Sequence, residues 1–157
     1  MIPDGVTIDA QGIENCLRDN DSNVYLSTTD LFRVIKNTVI NGAHAMNDEG
    51  TVTLSSDVVS FKIPNRRLEL PVGDYARIQV SDTGKGIAPE VIERIFDPFF
   101  TTKDAEKGTG LGLSIVYNMV KNWKGGLDVE SVVGEGTTFS FYIPLLSENA
   151  VKKDAAA

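Results

Sequence analysis

The sequence predicts an α+β fold: a two-layer α/β sandwich whose mixed, mostly antiparallel sheet carries about three helices on one face. Three observations lead there. Apolar residues recur at spacings of three and four from Leu31 to Val39 and from Leu113 to Trp123, the mark of helices with one buried face. Apolar and polar residues alternate in Thr51 to Phe61, Tyr75 to Val80, Leu127 to Val132 and Thr137 to Ile143, as they do in half-buried strands. Consecutive strands are joined by hairpin-like connections, which favours antiparallel pairing with the helices gathered on one face. The count is about three helices and five to seven strands.

Taken in order, Val6 to Ile8 and Val24 to Ser27 are short strand candidates around a polar stretch, Asn20 to Asn23. Thr29 or Asp30 can cap a helix running to about Met46, with Leu31, Val34, Ile35, Thr38 and Val39 inward. Gly50 turns the chain into the strand Thr51 to Phe61, and a connection containing Pro64, Asn65, Pro71 and Gly73 leads to Tyr75 to Val80. Pro89 opens a short helix to about Ile95, because proline suits the first helical turn. Asp97 to Thr109 reads as a polar loop, and Gly108 to Trp123 as a helix that begins with three alternate glycines. Turns at Gly125-Gly126 and Gly134 to Gly136 set off the last two strands. One domain over residues 1–146 is expected, with a frayed tail over 147–157.

Composition narrows the function. At 157 residues the chain is one domain's worth, and its 41% hydrophobic and 24% charged content is that of a soluble globular protein. A net charge of -7 disfavours a nucleic-acid partner. No apolar run approaches the ~18 residues of a membrane span, so no direct membrane contact is expected. The lone Cys16 fits a reducing, cytoplasmic setting. One Cys and one His make no zinc-type cluster.

Four stretches carry chemistry. Asn37, Asn41 and His44 stand at i, i+4 and i+7 on one helical stripe, which is either a solvated face or amide oxygen offered to a hard cation such as Mg²⁺. In "SDTGKGI", Asp82 ends a strand and Gly84 and Gly86 follow. That is either a tight turn or a carboxylate for an exocyclic amine, with glycines that let a flat ring approach. In "FDPFFTTK", adjacent Phe99 and Phe100 cannot both point inward, which marks a hinge or contact surface. "GTGLGLSIV" offers bare amides at a helix start, the form of a phosphate site. Its glycine spacing matches neither the P-loop nor the dinucleotide fingerprint.

In this order and spacing the motifs resemble the catalytic ATP-binding domain of sensor histidine kinases, within the GHKL superfamily. "NTVINGAHAM" resembles the N box, "DTGKG" the first glycine box, "FDPFF" the F box, "GTGLGLSIV" the second glycine box and "GEGTTF" the final strand motif. The resemblance spans Val24 to Pro144. Gly42 departs from the alanine usual in the N box, which is expected to loosen the helix slightly without touching a ligand. "FDPFFTTK" and "AHAM" look most like the nitrogen-regulation branch.

The resemblance implies ATP and Mg²⁺ as cofactors. Asn41 would hold the metal, Asn37 would support the phosphate end, and His44 would lie near the phosphates. Asp82 would receive the adenine amine beside Gly84, Gly86 and Ile87, with Thr137 close by and ordering a water on the base. Asp97 to Thr109 would be the ATP lid, with Lys103 or Lys107 placed to reach phosphate oxygens. Gly110, Leu111, Gly112 and Leu113 would offer backbone amides to the phosphates, with Gly108 and Thr109 also among the nucleotide-binding residues. Relatives that hydrolyse ATP, and the anti-sigma serine kinases, carry a glutamate base one turn before the metal-binding asparagine. Here Asn37 stands there, and a neutral amide accepts no proton. That favours a histidine nucleophile over an anti-sigma-type serine kinase, and the intact motifs disfavour a degenerate nucleotide-binding module. The implied partners are a histidine-containing dimerisation domain and, downstream, a response regulator receiver domain.

Overall fold

The structure is a computed structural model that describes residues 2, 4–12, 26–47, 49–102 and 110–145. Its elements are β1 (Val6–Gly12), α1 (Thr28–Ala45), β2 (Gly50–Phe61), β3 (Gly73–Asp82), α2 (Pro89–Ile92), α3 (Gly112–Asn122), β4 (Gly126–Val132) and β5 (Gly136–Pro144). The strands form one five-stranded sheet in the order β1-β2-β3-β5-β4. β1 runs parallel to β2 and every other neighbouring pair is antiparallel, so the sheet is mixed and mostly antiparallel, as expected.

Register decides which face meets the helices. Val80 lies opposite Leu54 on one side and Phe139 on the other, and Phe139 lies opposite Val129. These side chains share a face because strand side chains alternate. Against them pack Val34 and Val39 of α1 and Val116 and Val120 of α3, which completes the main core. The opposite face is polar along most of its length: Ser81 bonds Thr138 at 2.8 Å, Gln79 bonds Ser140 at 3.1 Å, and Arg77 pairs with Asp57. At one end of that face Leu68 and Leu70 of the β2–β3 connection cover Tyr75 and Tyr142 in a second, smaller cluster.

Several expected boundaries move for local reasons. Ser27, not Thr29 or Asp30, is the cap of α1; its extended backbone presents a carbonyl that accepts the Leu31 N–H at 3.0 Å. Ser27 is therefore outside a strand, and Val24 and Tyr25 lie outside the described residues. α2 stops at Ile92 rather than Ile95, because the chain tightens into bonds of three-residue spacing, Arg94 N–H to Val91 and Asp97 N–H to Arg94. α3 begins at Gly112, since Gly110 holds φ +69°, a left-handed conformation that no right-handed helix includes. Of the two glycines described, Gly112 opens the helix and Gly110 precedes it. Gly108, like the proposed tail, is outside the described residues.

Candidate functional site

Asp82 is the last residue of β3 and is buried on the helix-facing side, opposite Thr137 of β5. Its Oδ1 accepts the Gly84 N–H at 2.9 Å. Burial pushes its carboxyl pKa up, while the backbone N–H groups of Gly84 and Thr137 pull it down. The result is an acceptor largely removed from water and fixed by backbone donors, which suits recognition of an N–H donor more than proton transfer.

The loop after Asp82 is secured on three sides. The Lys85 N–H reaches the Ala45 carbonyl at the end of α1 at 3.1 Å, and the Thr83 N–H reaches Thr51 of β2 at 3.3 Å. The Gly134 N–H of the β4–β5 turn donates to the Lys85 carbonyl at 2.8 Å, and the Ile87 N–H donates to Ser131 Oγ at 2.7 Å. Both glycines of this loop are required by the protein itself. A Cβ on Gly84 would stand 2.8 Å from the Ala45 carbonyl oxygen, and one on Gly86, at φ +70°, would stand 2.2 Å from that of Val132.

The metal candidate Asn41 lies where α1 meets the start of α3. Asn37 and Asn41 are half-buried on α1 and His44 is exposed. A Cβ on Gly112 would lie 3.8 Å from Asn41 Nδ2, which places the N-box amide directly across from the second glycine box. The N-cap residue of α3, Leu111, makes no side-chain cap bond of its own, and the first helical residues Gly112 and Leu113 are half-buried beside Gly110. Among the described residues no group of three or more His, Cys, Asp or Glu gathers to hold a metal ion. A single amide oxygen supplemented by phosphates and water fits Mg²⁺, which dehydrates reluctantly. Lys103, Lys107, Gly108 and Thr109 lie outside the described residues.

The structure thus brings Asp82, Gly84 and Thr137 together at one end, and Asn41 and Gly112 at the other. Gly42 links them, and here the sequence expectation needs correcting. The missing side chain of Gly42 faces Asp82: a Cβ there would stand 3.1 Å from Asp82 Cβ and 3.3 Å from Oδ2. Position 42 therefore bears directly on the carboxylate. Ala45 and Ser131, which the sequence motifs do not single out as site residues, also hold the loop after Asp82. Ser131 had a usable signal, because counting outward from Gly134 in the final hairpin pairs it with Thr137, and the observed register does so.

The profile of the histidine kinase-, DNA gyrase B- and HSP90-like ATPases matches residues 27–147. The chain belongs to that family. This ATPase domain is 42% identical over 127 residues to the sensor kinase CckA of Brucella abortus (strain 2308), covering 78% of the chain and 13% of that protein. It is 36% identical over 117 residues to the sensor histidine kinase ZraS of Salmonella typhi, covering 74% of the chain and 22% of the relative. It is 34% identical over 136 residues to sporulation kinase C of Bacillus subtilis (strain 168), covering 87% and 27%. The domain therefore spans between 13% and 27% of the length of these relatives. Among solved structures, the catalytic domain of histidine kinase ThkA superposes with a TM-score of 0.63 at 28% identity, covering 88% of this chain and 77% of that one. Full-length ShkA in complex with AMPPNP shares the fold with a TM-score of 0.67 at 24% identity, over 91% of this chain and 26% of that one.

Proposed function

We propose that this domain binds Mg-ATP and presents its γ-phosphoryl group to a histidine on a separate dimerisation domain, from which a response regulator receiver is served. The observation that carries the proposal is that two neighbouring α1 residues face the two ends of one site: Gly42 abuts the buried, backbone-fixed Asp82 of β3, and Asn41 abuts Gly112 at the start of α3. One end reads a base amine and the other faces phosphate. Asn41 holds the Mg²⁺, which when bound neutralises phosphate charge, and Asn37 supports the phosphate end. The amides from Gly110 to Leu113 orient the phosphates by dipole and hydrogen bond. Lys103 and Lys107, in the lid sequence, supply cations toward the transferred group. Ile87 and Gly86 line the base side, and exposed His44 lies on the phosphate side of α1.

Asn37 favours histidine as acceptor over water or serine, since it cannot take a proton from either nucleophile while an imidazole attacks with a free lone pair. No helix among the described residues is long and apolar enough to cross a membrane. A cytoplasmic setting and the nitrogen-regulation branch belong to the same proposal, supported by the lone Cys16 and by the "FDPFFTTK" and "AHAM" motifs. Calorimetric titration with Mg-ATP tests the binding half: Asp82→Asn is expected to lose about 1.5–3 kcal/mol, the worth of a hydrogen bond to a charged acceptor. Unchanged affinity would refute the base assignment.

A further inference from the structure

Ser131 sits at the meeting point of the loop after Asp82 and the final hairpin, and a single arrangement of its protons satisfies all three of its hydrogen bonds. A serine hydroxyl has one proton and two lone pairs. Ser131 Oγ lies 3.0 Å from the Gly136 carbonyl, which can only accept, so the serine proton goes there. The Ile87 N–H, which can only donate, takes one lone pair at 2.7 Å. The third neighbour is Thr137 Oγ1 at 2.8 Å. With the serine proton already committed, the threonine hydroxyl is the donor in that contact.

That assignment fixes the chemistry of Thr137. Its only proton is turned toward Ser131, so toward everything else its oxygen is an acceptor. Thr137 is 4% exposed and lies directly opposite Asp82, whose ionised carboxylate also only accepts. Two acceptors side by side favour a group that donates, and oppose one that presents a carbonyl oxygen. We propose that Ser131 is a positioning residue for base selection: by holding the Thr137 proton, it makes the site read a 6-amino purine and reject a 6-oxo purine. This rests on the proposal that the base of ATP lies at Asp82.

The test compares affinities of the full chain for Mg-ATP and Mg-ITP, which differ at the 6-position of the base and in the protonation of its N1. Ser131→Ala frees the Thr137 proton to turn toward a 6-oxo group, and the ATP-to-ITP affinity ratio is expected to fall by about tenfold, the discrimination one hydrogen-bond mismatch supplies. A merely structural role would weaken both nucleotides equally and leave the ratio unmoved. Ser131→Thr keeps the hydroxyl and is expected to restore the ratio. Thr137→Val removes the acceptor without disturbing the Ser131 bonds to Gly136 and Ile87, so it is expected to lower the ratio even if Ser131→Ala does not fold. A ratio unchanged in Thr137→Val, or in a folded Ser131→Ala, overturns the inference. Asp82→Asn separates the two levels: if it leaves ATP affinity intact, the base site itself is misplaced. If it abolishes binding while the ratio stays fixed in the other variants, only the role of Ser131 fails.

Discussion

Phe99 donates its backbone N–H to the Gly110 carbonyl at 3.0 Å, and both residues hold left-handed backbone, at φ +66° and +69°. The bond joins the chain on either side of residues 100–109. Neighbouring aromatics have separate work: Phe96 packs on Tyr117 at 5.4 Å between centroids, and Phe100 reaches the main core with the Arg94 guanidinium 4.5 Å over its ring. Phe99 is 75% exposed and buries little. A left-handed conformation costs a non-glycine residue about 1–2 kcal/mol. Phe99→Gly is therefore expected to stabilise the domain slightly, by up to about 1 kcal/mol, whereas Phe100→Ala should cost about 2–3 kcal/mol. Equal losses for both in denaturant unfolding would contradict the assignment of strain to Phe99.

Gly86 and Gly134 both have positive φ, +70° and +85°, yet their surroundings differ. A Cβ on Gly86 would run into the Val132 carbonyl, whereas nothing lies within 4 Å of one on Gly134. Gly134→Ala should cost only the backbone penalty of about 1–2 kcal/mol. Gly86→Ala must also push apart the base loop and the β4–β5 turn, and a loss above about 3 kcal/mol is expected, with ATP binding lost alongside. Chemical denaturation of both variants decides it. Similar losses would mean that the clasp between loop and turn yields easily.

Asp82 gives the domain a pH dependence of definite sign. Burial raises its carboxyl above the ordinary 3.8. An acid with a raised folded-state pKa favours folding while protonated, so its contribution is complete below 3.8 and is lost as pH rises through the folded value. The nucleotide-free domain accordingly loses stability from this group between acid and neutral pH. Binding runs the other way, because the base amine needs an ionised acceptor. ATP affinity should fall by up to about tenfold per pH unit below the folded pKa, and the fall should begin above the range of an exposed aspartate. Titrations of wild type and Asp82→Asn across the mildly acidic range check this. A parallel decline in both would assign the effect to the phosphates instead.

Periodicity and connections made the layers legible: the alternation in β2, β3 and β5 and the three-and-four spacing in α1 and α3 marked strands and helices, and the hairpin-like connections gave the mostly antiparallel pairing. Boundaries were harder, because capping at Ser27 and the tightening after Ile92 depend on backbone geometry that side-chain pattern does not encode. Motif spacing placed Asp82, Asn41 and Gly112. It did not show why Gly84 and Gly86 are glycine, since that reason is contact with Ala45 and Val132, residues distant in sequence and brought close by the fold. The closeness of Gly42 to the carboxylate is hidden for the same cause: its neighbour Asp82 is 40 positions away in the chain.

The isolated chain should bind ATP and neither turn it over appreciably nor label itself. Two observations lead to that expectation. Asn37 stands where the resemblance puts the glutamate base of ATP-hydrolysing relatives, and an amide takes no proton from water. The single histidine, His44, lies on α1 itself, three residues after the candidate metal residue Asn41, and not on a separate acceptor domain. Preorganised amides and a metal can stabilise transferring charge, but without a positioned nucleophile the proximity contribution of about 7–11 kcal/mol is missing. A dimerisation domain supplied in trans should restore labelling, on histidine, as a phosphoryl bond stable to base and labile to acid. Incubation with γ-labelled ATP, with and without that domain, is the measurement. Label on His44 in the isolated chain, or phosphate release at the rate of a dedicated ATPase, would overturn the assignment of this domain as half of a phosphotransfer pair.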